Sequence, residues 1–265
     1  MLAGLDLPLA TLVLLVVVAF AAGWIDAVVG GGGLVQLPAL LIGLPAGTPP
    51  AAILGTNKLS SMWGTATSAI TYARRVRPDW RTVLSLVVGA GLGSAGGAQL
   101  AKLLPKDAFT PIVLVALVGV GLYTWRRPQL GLVSAVRHTG GAHYGRTAVI
   151  GLVVGAYDGF LGPGTGSFFV IALVGVLGYG FLEASGKAKI ANLVTNVAAL
   201  GVFAAHGTVL WGLGLSMGAA NLLGGYLGAR TAIARGNGFV RRVFLVVVAA
   251  LAIKLAYDTV RMLAS

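Results

Sequence analysis

Gly30-Gly31-Gly32-Gly33-Leu34-Val35-Gln36-Leu37-Pro38 interrupts one long apolar run, and Gly162-Pro163-Gly164-Thr165-Gly166-Ser167 interrupts another. Four successive glycines make poor helix interior, each about 0.8–1.0 kcal/mol worse than Ala. Pro163 lacks the N–H that a helix interior needs. The flanking sequence is continuously apolar rather than alternating, which favours helices over β-barrel strands. A helix therefore stops and restarts at each interruption. Inside lipid, such broken backbone must line a cavity or pack against protein. A restarting helix also points free N–H groups and its positive dipole end into the gap. Two such gaps meeting would make an anion site; the alternative is close helix packing through small residues.

The composition places these runs in a membrane. Of 265 residues, 57% are hydrophobic and only 10% charged, with mean hydropathy +0.91. A soluble domain carries about 25% charged residues, so too few are present for a water-facing shell. Disorder is excluded by the apolar content. Apolar segments fall at 7–29, 34–48, 51–73, 82–104, 108–125, 147–161, 167–182, 188–205, 208–234 and 239–257. Several have the roughly 20 residues a crossing helix requires. Those at 34–48 and 147–161 are short, which suits tilted or re-entrant segments. The first run ends in glycines rather than at a cleavage site and has no basic stretch before it, so it reads as retained.

Nineteen Lys and Arg stand against seven Asp and Glu, a net charge of +12. The basic residues occupy gaps between apolar runs, which reads as topology beside an anionic lipid surface, with no nucleic-acid partner. Arg74, Arg75, Arg77 and Arg81 form one cluster; Arg126, Arg127, Arg137 and Arg146 a second; Arg235, Arg241 and Arg242 a third. The positive-inside rule puts loops 74–81, 126–146 and 235–242 in the cytoplasm. Lys102 and Lys106 fall on the other side, offset by Asp107. Cysteine is absent, which removes thiol chemistry and disulfides. The three His have no metal-ligand spacing; His138 and His143 fall in the solvated loop and His206 at a loop edge. No metal or cofactor is implied.

The chain repeats. Asp26 and Gly30 match Asp158 and Gly162, 132 positions later; Lys58 matches Lys189, Trp80 matches Trp211 and Gly97-Ala-Gln99 matches Gly228-Ala-Arg230, each 131 later. Four dispersed matches at a near-constant offset indicate duplication. The loop at 74–81 carries four Arg while its counterpart, His206 to Trp211, carries neither Lys nor Arg. Equivalent loops then face opposite sides, as in transporters built from inverted repeats. The expected fold is an all-α polytopic membrane protein of two inverted-topology repeats with broken or re-entrant helices at the glycine-rich turns. Residues 1–125 form the first repeat, 126–146 a basic cytoplasmic loop and 147–265 the second repeat.

Candidate binding groups follow. Gly31, Gly32, Gly33 and Gln36 belong to the first break, and Gly164, Thr165 and Gly166 to the second. Asn57 and Lys58 share one segment; Lys189, Asn192 and Asn196 fall on one helical stripe of another. A lysine at mid-membrane costs about 2.5–3.5 kcal/mol and needs a partner, cavity or ligand; near a helix end it snorkels to the interface instead. Asp26 and Asp158 precede the two breaks by four residues and are positioned for ion pairing or for proton coupling. Ser60, Ser61 or Ser167 set against His206 would be the ingredients of an intramembrane hydrolase, but no nucleophile elbow accompanies them. No ATP motif is present. The five Trp read as interface anchors.

The stretches Ala22–Pro38, Leu54–Ser61, Tyr157–Ser167 and Lys187–Asn196 resemble the TauE/SafE family of membrane transporters, the toluene-sulfonate uptake permease group. The resemblance covers nearly the whole chain. It implies a bacterial inner-membrane permease of about eight crossings for small sulfur-containing anions such as sulfite, sulfonates or sulfoacetate, in either direction. A thiosulfate-taking branch uses cysteines in its pathway, which this chain lacks. Three readings stay open beside coupled transport: an uncoupled anion channel or facilitator, an intramembrane enzyme, and a non-transporting membrane scaffold. The partners implied are a small anionic substrate and the lipid bilayer, with a homo-oligomer compatible with the sequence.

Overall fold

The structure is a computed structural model that describes residues 7–45, 47–76, 78–100, 126 and 131–263. Expectations concerning Arg77, Lys102, Lys106, Asp107, Trp125, Arg127 and the segment 108–125 lie outside the described residues. All regular structure among the described residues is helical. The elements are α1 (Leu9–Val29), α2 (Gly32–Gly43), α3 (Pro50–Val76), α4 (Trp80–Leu100), α5 (Gly140–Phe160), α6 (Thr165–Ala172), α7 (Phe181–Ala205) and α8 (Trp211–Leu263). A π-turn, Leu173–Leu177, continues α6, and Gly236 breaks α8 with φ 68° and ψ −169°. Helices α1, α4 and α7 are long and apolar enough to cross a membrane; at about 1.5 Å per residue, 21 residues cover the hydrocarbon.

The glycine interruptions end and restart helices. Gly30 terminates α1 in the left-handed region (φ 85°), its N–H returned to the Asp26 carbonyl at 2.7 Å. Gly164 stands immediately before the first residue of α6, also in the left-handed region, with φ 79°. Only glycine adopts these angles without strain.

Helices α1 and α8 pack along each other, as do α4 and α5. Both contacts are built from glycine against backbone, which lets helices approach closely. Gly93 lies on the Leu152 backbone and Gly97 on that of Ala156; Gly224 lies on Phe20 and Gly228 on Trp24. Subtracting the repeat offsets turns one set into the other. Gly155 against Ala90 and Gly23 against Asn221 exchange in the same way. Asn196, whose amide donates to the Thr65 hydroxyl at 3.3 Å, lies 131 positions after it, so here a residue meets its own counterpart. The outer faces carry exposed Val13, Val17, Leu84, Val88, Leu92, Val149, Val153 and Leu223. Such stripes would be aggregation surfaces in water and are ordinary in lipid. Trp80 and Trp211, at the starts of α4 and α8, are also exposed, as interface anchors are.

The basic clusters sit closer to helix than the sequence indicates. Arg74 and Arg75 close α3, Arg81 belongs to the first turn of α4, and the stretch 235–242 is helix broken only at Gly236. Helix α5 begins at Gly140, inside the stretch read as the 126–146 loop.

His143 is therefore not in a solvated loop. It lies in the first turn of α5 and is buried. Its Nε2 is 3.0 Å from both the Thr82 hydroxyl and the Tyr179 hydroxyl. Thr82 donates in turn to Asp79 at 2.5 Å. That bond holds the Asp79 carboxyl below its ordinary range. Helix α5 starts early enough to rotate the imidazole inward, where sequence hydropathy has no signal. His143→Phe keeps the ring volume but leaves two buried hydroxyls short of a partner. It is expected to lower stability by about 1–3 kcal/mol, read as a fall in the melting temperature of the detergent-purified protein; an unchanged melting temperature would remove the ring from this network.

Candidate functional site

The two breaks meet at the centre of the bundle. Gly30 packs backbone to backbone on Gly166. The Ser167 N–H donates to the Gly30 carbonyl at 3.1 Å and its hydroxyl donates to the Val29 carbonyl at 2.8 Å. The Tyr157 hydroxyl donates to the Pro163 carbonyl at 2.7 Å, Thr165 to that of Gly162 at 2.8 Å, and Tyr72 to that of Ala27 at 3.0 Å. Side chains thus satisfy carbonyls that the interrupted helices leave open. No carbonyl among the described residues accepts from the N–H groups of Gly32, Gly33, Thr165 or Gly166.

Beside this junction lies a cavity of about 20 Å³. It is lined by Asp26, Gly30, Gly33, Asn57, Lys58, Ser61, Asp158, Gly162, Gly164, Thr165, Gly166, Asn192 and Asn196. That is room on the order of one water.

Two ion pairs flank it. The Lys58 ammonium is 2.6 Å from Asp158 Oδ2, with each side chain 2% exposed. The Lys189 ammonium is 3.0 Å from Asp26 Oδ2 and also donates to the Asp26 main-chain carbonyl. Lys189 is fully buried, while the Asp26 side chain is 14% exposed, so this pair is the one that reaches open space. Each lysine is the ninth residue of its helix, α3 or α7, well inside rather than snorkelling at an end. Each pair joins one half of the chain to the other, and the repeat offsets convert one pair into its partner. Desolvating two charges is expensive, so such pairs persist only with good geometry.

The amides complete the wall. Asn57 is buried and its Oδ1 has no hydrogen-bond partner. Asn196 donates to Thr65, and Asn192 Oδ1 accepts from Thr195 at 3.4 Å.

Most of the residues singled out from sequence come together here: Asn57, Lys58, Asn192, Asn196, Gly33, Gly164, Thr165, Gly166, Asp26 and Asp158. Lys189 stands behind Asp26 rather than on the wall. Gly31, Gly32 and Gln36 do not border the cavity. Gly32 packs against the Ala22 carbonyl and the Asp26 Cβ. Gln36 lies one turn farther along α2 and points away; its Oε1 accepts from Asn221 at 2.9 Å. Ser61, Gly30 and Gly162 are additional wall residues. Ser61 was legible in principle, being four residues after Asn57 and so on the same helical face. Of the hydrolase ingredients, the Ser167 hydroxyl is bound to the Val29 carbonyl and the His206 Nδ1 lies 2.7 Å from that of Val202.

The family model for Sulfite exporter TauE/SafE matches residues 15–255. The chain belongs to the TauE/SafE family. Among its relatives, "Probable membrane transporter protein ORF9" of Sinorhizobium sp is 39% identical over 253 residues, covering 96% of this chain and 95% of the relative. A "Probable membrane transporter protein" of Haemophilus influenzae is 33% identical, covering 96% and 98%. "Probable membrane transporter protein YfcA" of Escherichia coli K12 is 34% identical, covering 91% and 88%. No solved structure matches the chain. The TauE/SafE family and the names of these relatives support a membrane transporter.

Proposed function

We propose that this TauE/SafE protein is a secondary transporter of small sulfur-containing anions, such as sulfite, a sulfonate or sulfoacetate. It works by alternating access around the cavity between the two breaks. The observation that carries this reading is the pair of Lys–Asp bridges, exchanged between the halves on one polar cavity. The exchanged glycine contacts support two halves related by a twofold axis in the membrane plane, as in inverted-repeat transporters. The arginine-rich helix ends then face the cytoplasm of a bacterial inner membrane.

In this arrangement each ammonium is neutralised by a carboxylate, which leaves no net charge for an anion to meet. Protonating Asp26 or Asp158 frees its lysine. The ammonium, the Asn57, Asn192 and Asn196 amides and the first-turn N–H groups of α2 and α6 then supply donors to the acceptor oxygens of the anion. Proton and anion enter together, and the pair re-forms when both leave. Asp26 is the carboxylate with solvent access, and Lys58 is the ammonium that borders the cavity.

The test is uptake of radiolabelled sulfite or sulfoacetate by proteoliposomes. An inward proton gradient is expected to raise uptake. Asn57→Ala and Asn196→Ala, which remove no charge, are expected to cut it about 10-fold or more, the worth of a hydrogen bond to a charged group. Flux indifferent to the gradient would make the protein a facilitator. Flux indifferent to both substitutions would remove this cavity from the pathway.

A further inference from the structure

A second basic feature lies away from the central cavity. Where α3 ends, Arg74 and Arg75 face Tyr226 and Arg230 of α8 across a cleft of about 440 Å³, floored by Ile233 and Ala234. No acidic residue lines it, and among the described residues none of the three arginines is bridged to a carboxylate. Three arginines on one cleft with no carboxylate among its lining residues make it a place that attracts an anion.

The cleft is also partly preset. The Arg230 guanidinium donates to the Tyr226 hydroxyl at 3.2 Å and lies over the Tyr226 ring, 5.5 Å from its centroid. This holds one donor fork in place before any ligand arrives. Tyrosine at such a position marks the headgroup level of a membrane.

The surroundings say which kind of anion fits. On α8, Leu223 and Leu227 are exposed and lie one to two turns before Arg230 on the same face. On α3, Ile70 is exposed and lies one turn before Arg74. Two apolar stripes thus run up to the arginines from the lipid side. A free anion would use the arginines and leave the stripes idle. A molecule with a phosphate at one end and acyl chains at the other uses both.

We propose that this cleft seats the phosphate of an anionic phospholipid, with Arg74, Arg75 and Arg230 as its donors and the chains lying over Ile70, Leu223 and Leu227. Basic pockets between membrane helices are suited to such headgroups, each arginine near the surface contributing about a five-fold gain in affinity. The site is separate from the transport cavity and does not rest on the transport reading.

The test uses delipidated full-length protein in detergent, titrated with phosphatidylglycerol, cardiolipin, phosphatidylcholine or inorganic phosphate and followed by melting temperature and by native mass spectrometry of retained lipid. The anionic lipids are expected to raise the melting temperature and to stay bound, phosphatidylcholine far less. Arg74→Gln/Arg75→Gln/Arg230→Gln changes only exposed side chains. It is expected to weaken anionic lipid binding about 100-fold, while Arg→Lys at the three positions keeps part of it because charge survives and the planar fork does not. Equal stabilisation by phosphatidylcholine would overturn the proposal, as would full anionic-lipid binding by the triple Gln variant. Inorganic phosphate matching the lipids at equal concentration would make this a site for the free ion and overturn it too.

Discussion

Lys58→Ala is expected to destabilise the protein by about 3–5 kcal/mol, because it leaves the Asp158 carboxylate buried without its partner. The two side chains are each 2% exposed and 2.6 Å apart, so neither water nor a neighbouring cation can substitute. Lys58→Met combined with Asp158→Leu removes both charges and fills the space with apolar atoms of similar size. Replacements of that kind are near neutral or stabilising in other buried pairs, so the double variant is expected to fold about as well as the parent. It is also expected to take up no labelled sulfite, since the ammonium that receives the anion is gone. Melting temperature and proteoliposome flux, measured on the same preparations, separate the two roles. A double variant that is stable and still transports would make the pair purely structural. Under the proton-linked scheme the corresponding single change in the other pair, Lys189→Ala, is milder, because Asp26 is 14% exposed and water can reach its carboxylate.

Two glycines three residues apart are expected to respond oppositely in stability. Gly30 has φ 85°, and a methyl built on it would overlap the backbone of Gly166 and Ser167. Those are main-chain atoms of the second break and cannot swing aside. Gly30→Ala therefore adds conformational strain of about 1–2 kcal/mol to overpacking of about 1–3 kcal/mol. It forces the breaks apart and loosens both Ser167 bonds to Val29 and Gly30. Loss of both folding stability and flux is the expected outcome. At Gly33 the nearest atom to an added methyl is the Pro163 Cα at 3.5 Å, an ordinary contact. Alanine there gains about 1 kcal/mol of helix propensity in α2 but occupies part of a cavity of only about 20 Å³. Gly33→Ala should melt at or above the parent temperature and transport less. Intact flux in a stable Gly33→Ala protein would show that the substrate does not pass this wall.

The site was legible where chemistry follows from a residue's own character. A glycine run cannot continue a helix, and a mid-membrane lysine must be answered. Asn57, Lys58, Asn192, Asn196, Asp26 and Asp158 were found that way. What was not legible is which face a residue presents. Gly32 and Gly33 are adjacent, yet one packs on α1 and the other borders the cavity. Gln36 looked like a polar lining group and instead binds Asn221. His143 looked like a loop residue and is buried. In water, hydrophobic periodicity reports the inward face of a helix. In a lipid-facing bundle both faces are apolar, and that signal is lost.

The amino-acid sequence alone determined that this chain is helical and membrane-embedded and where its helices break. Those properties depend on backbone propensity and the apolar content of consecutive residues. Only the tertiary structure decided that Lys58 meets Asp158 and Lys189 meets Asp26, 100 and 163 positions away in the chain. It also decided that the two glycine breaks touch and that the space beside them is only about 20 Å³. Such pairings depend on the rotation of each helix about its axis and on how closely its glycines let it approach a neighbour, which are properties of the assembled bundle.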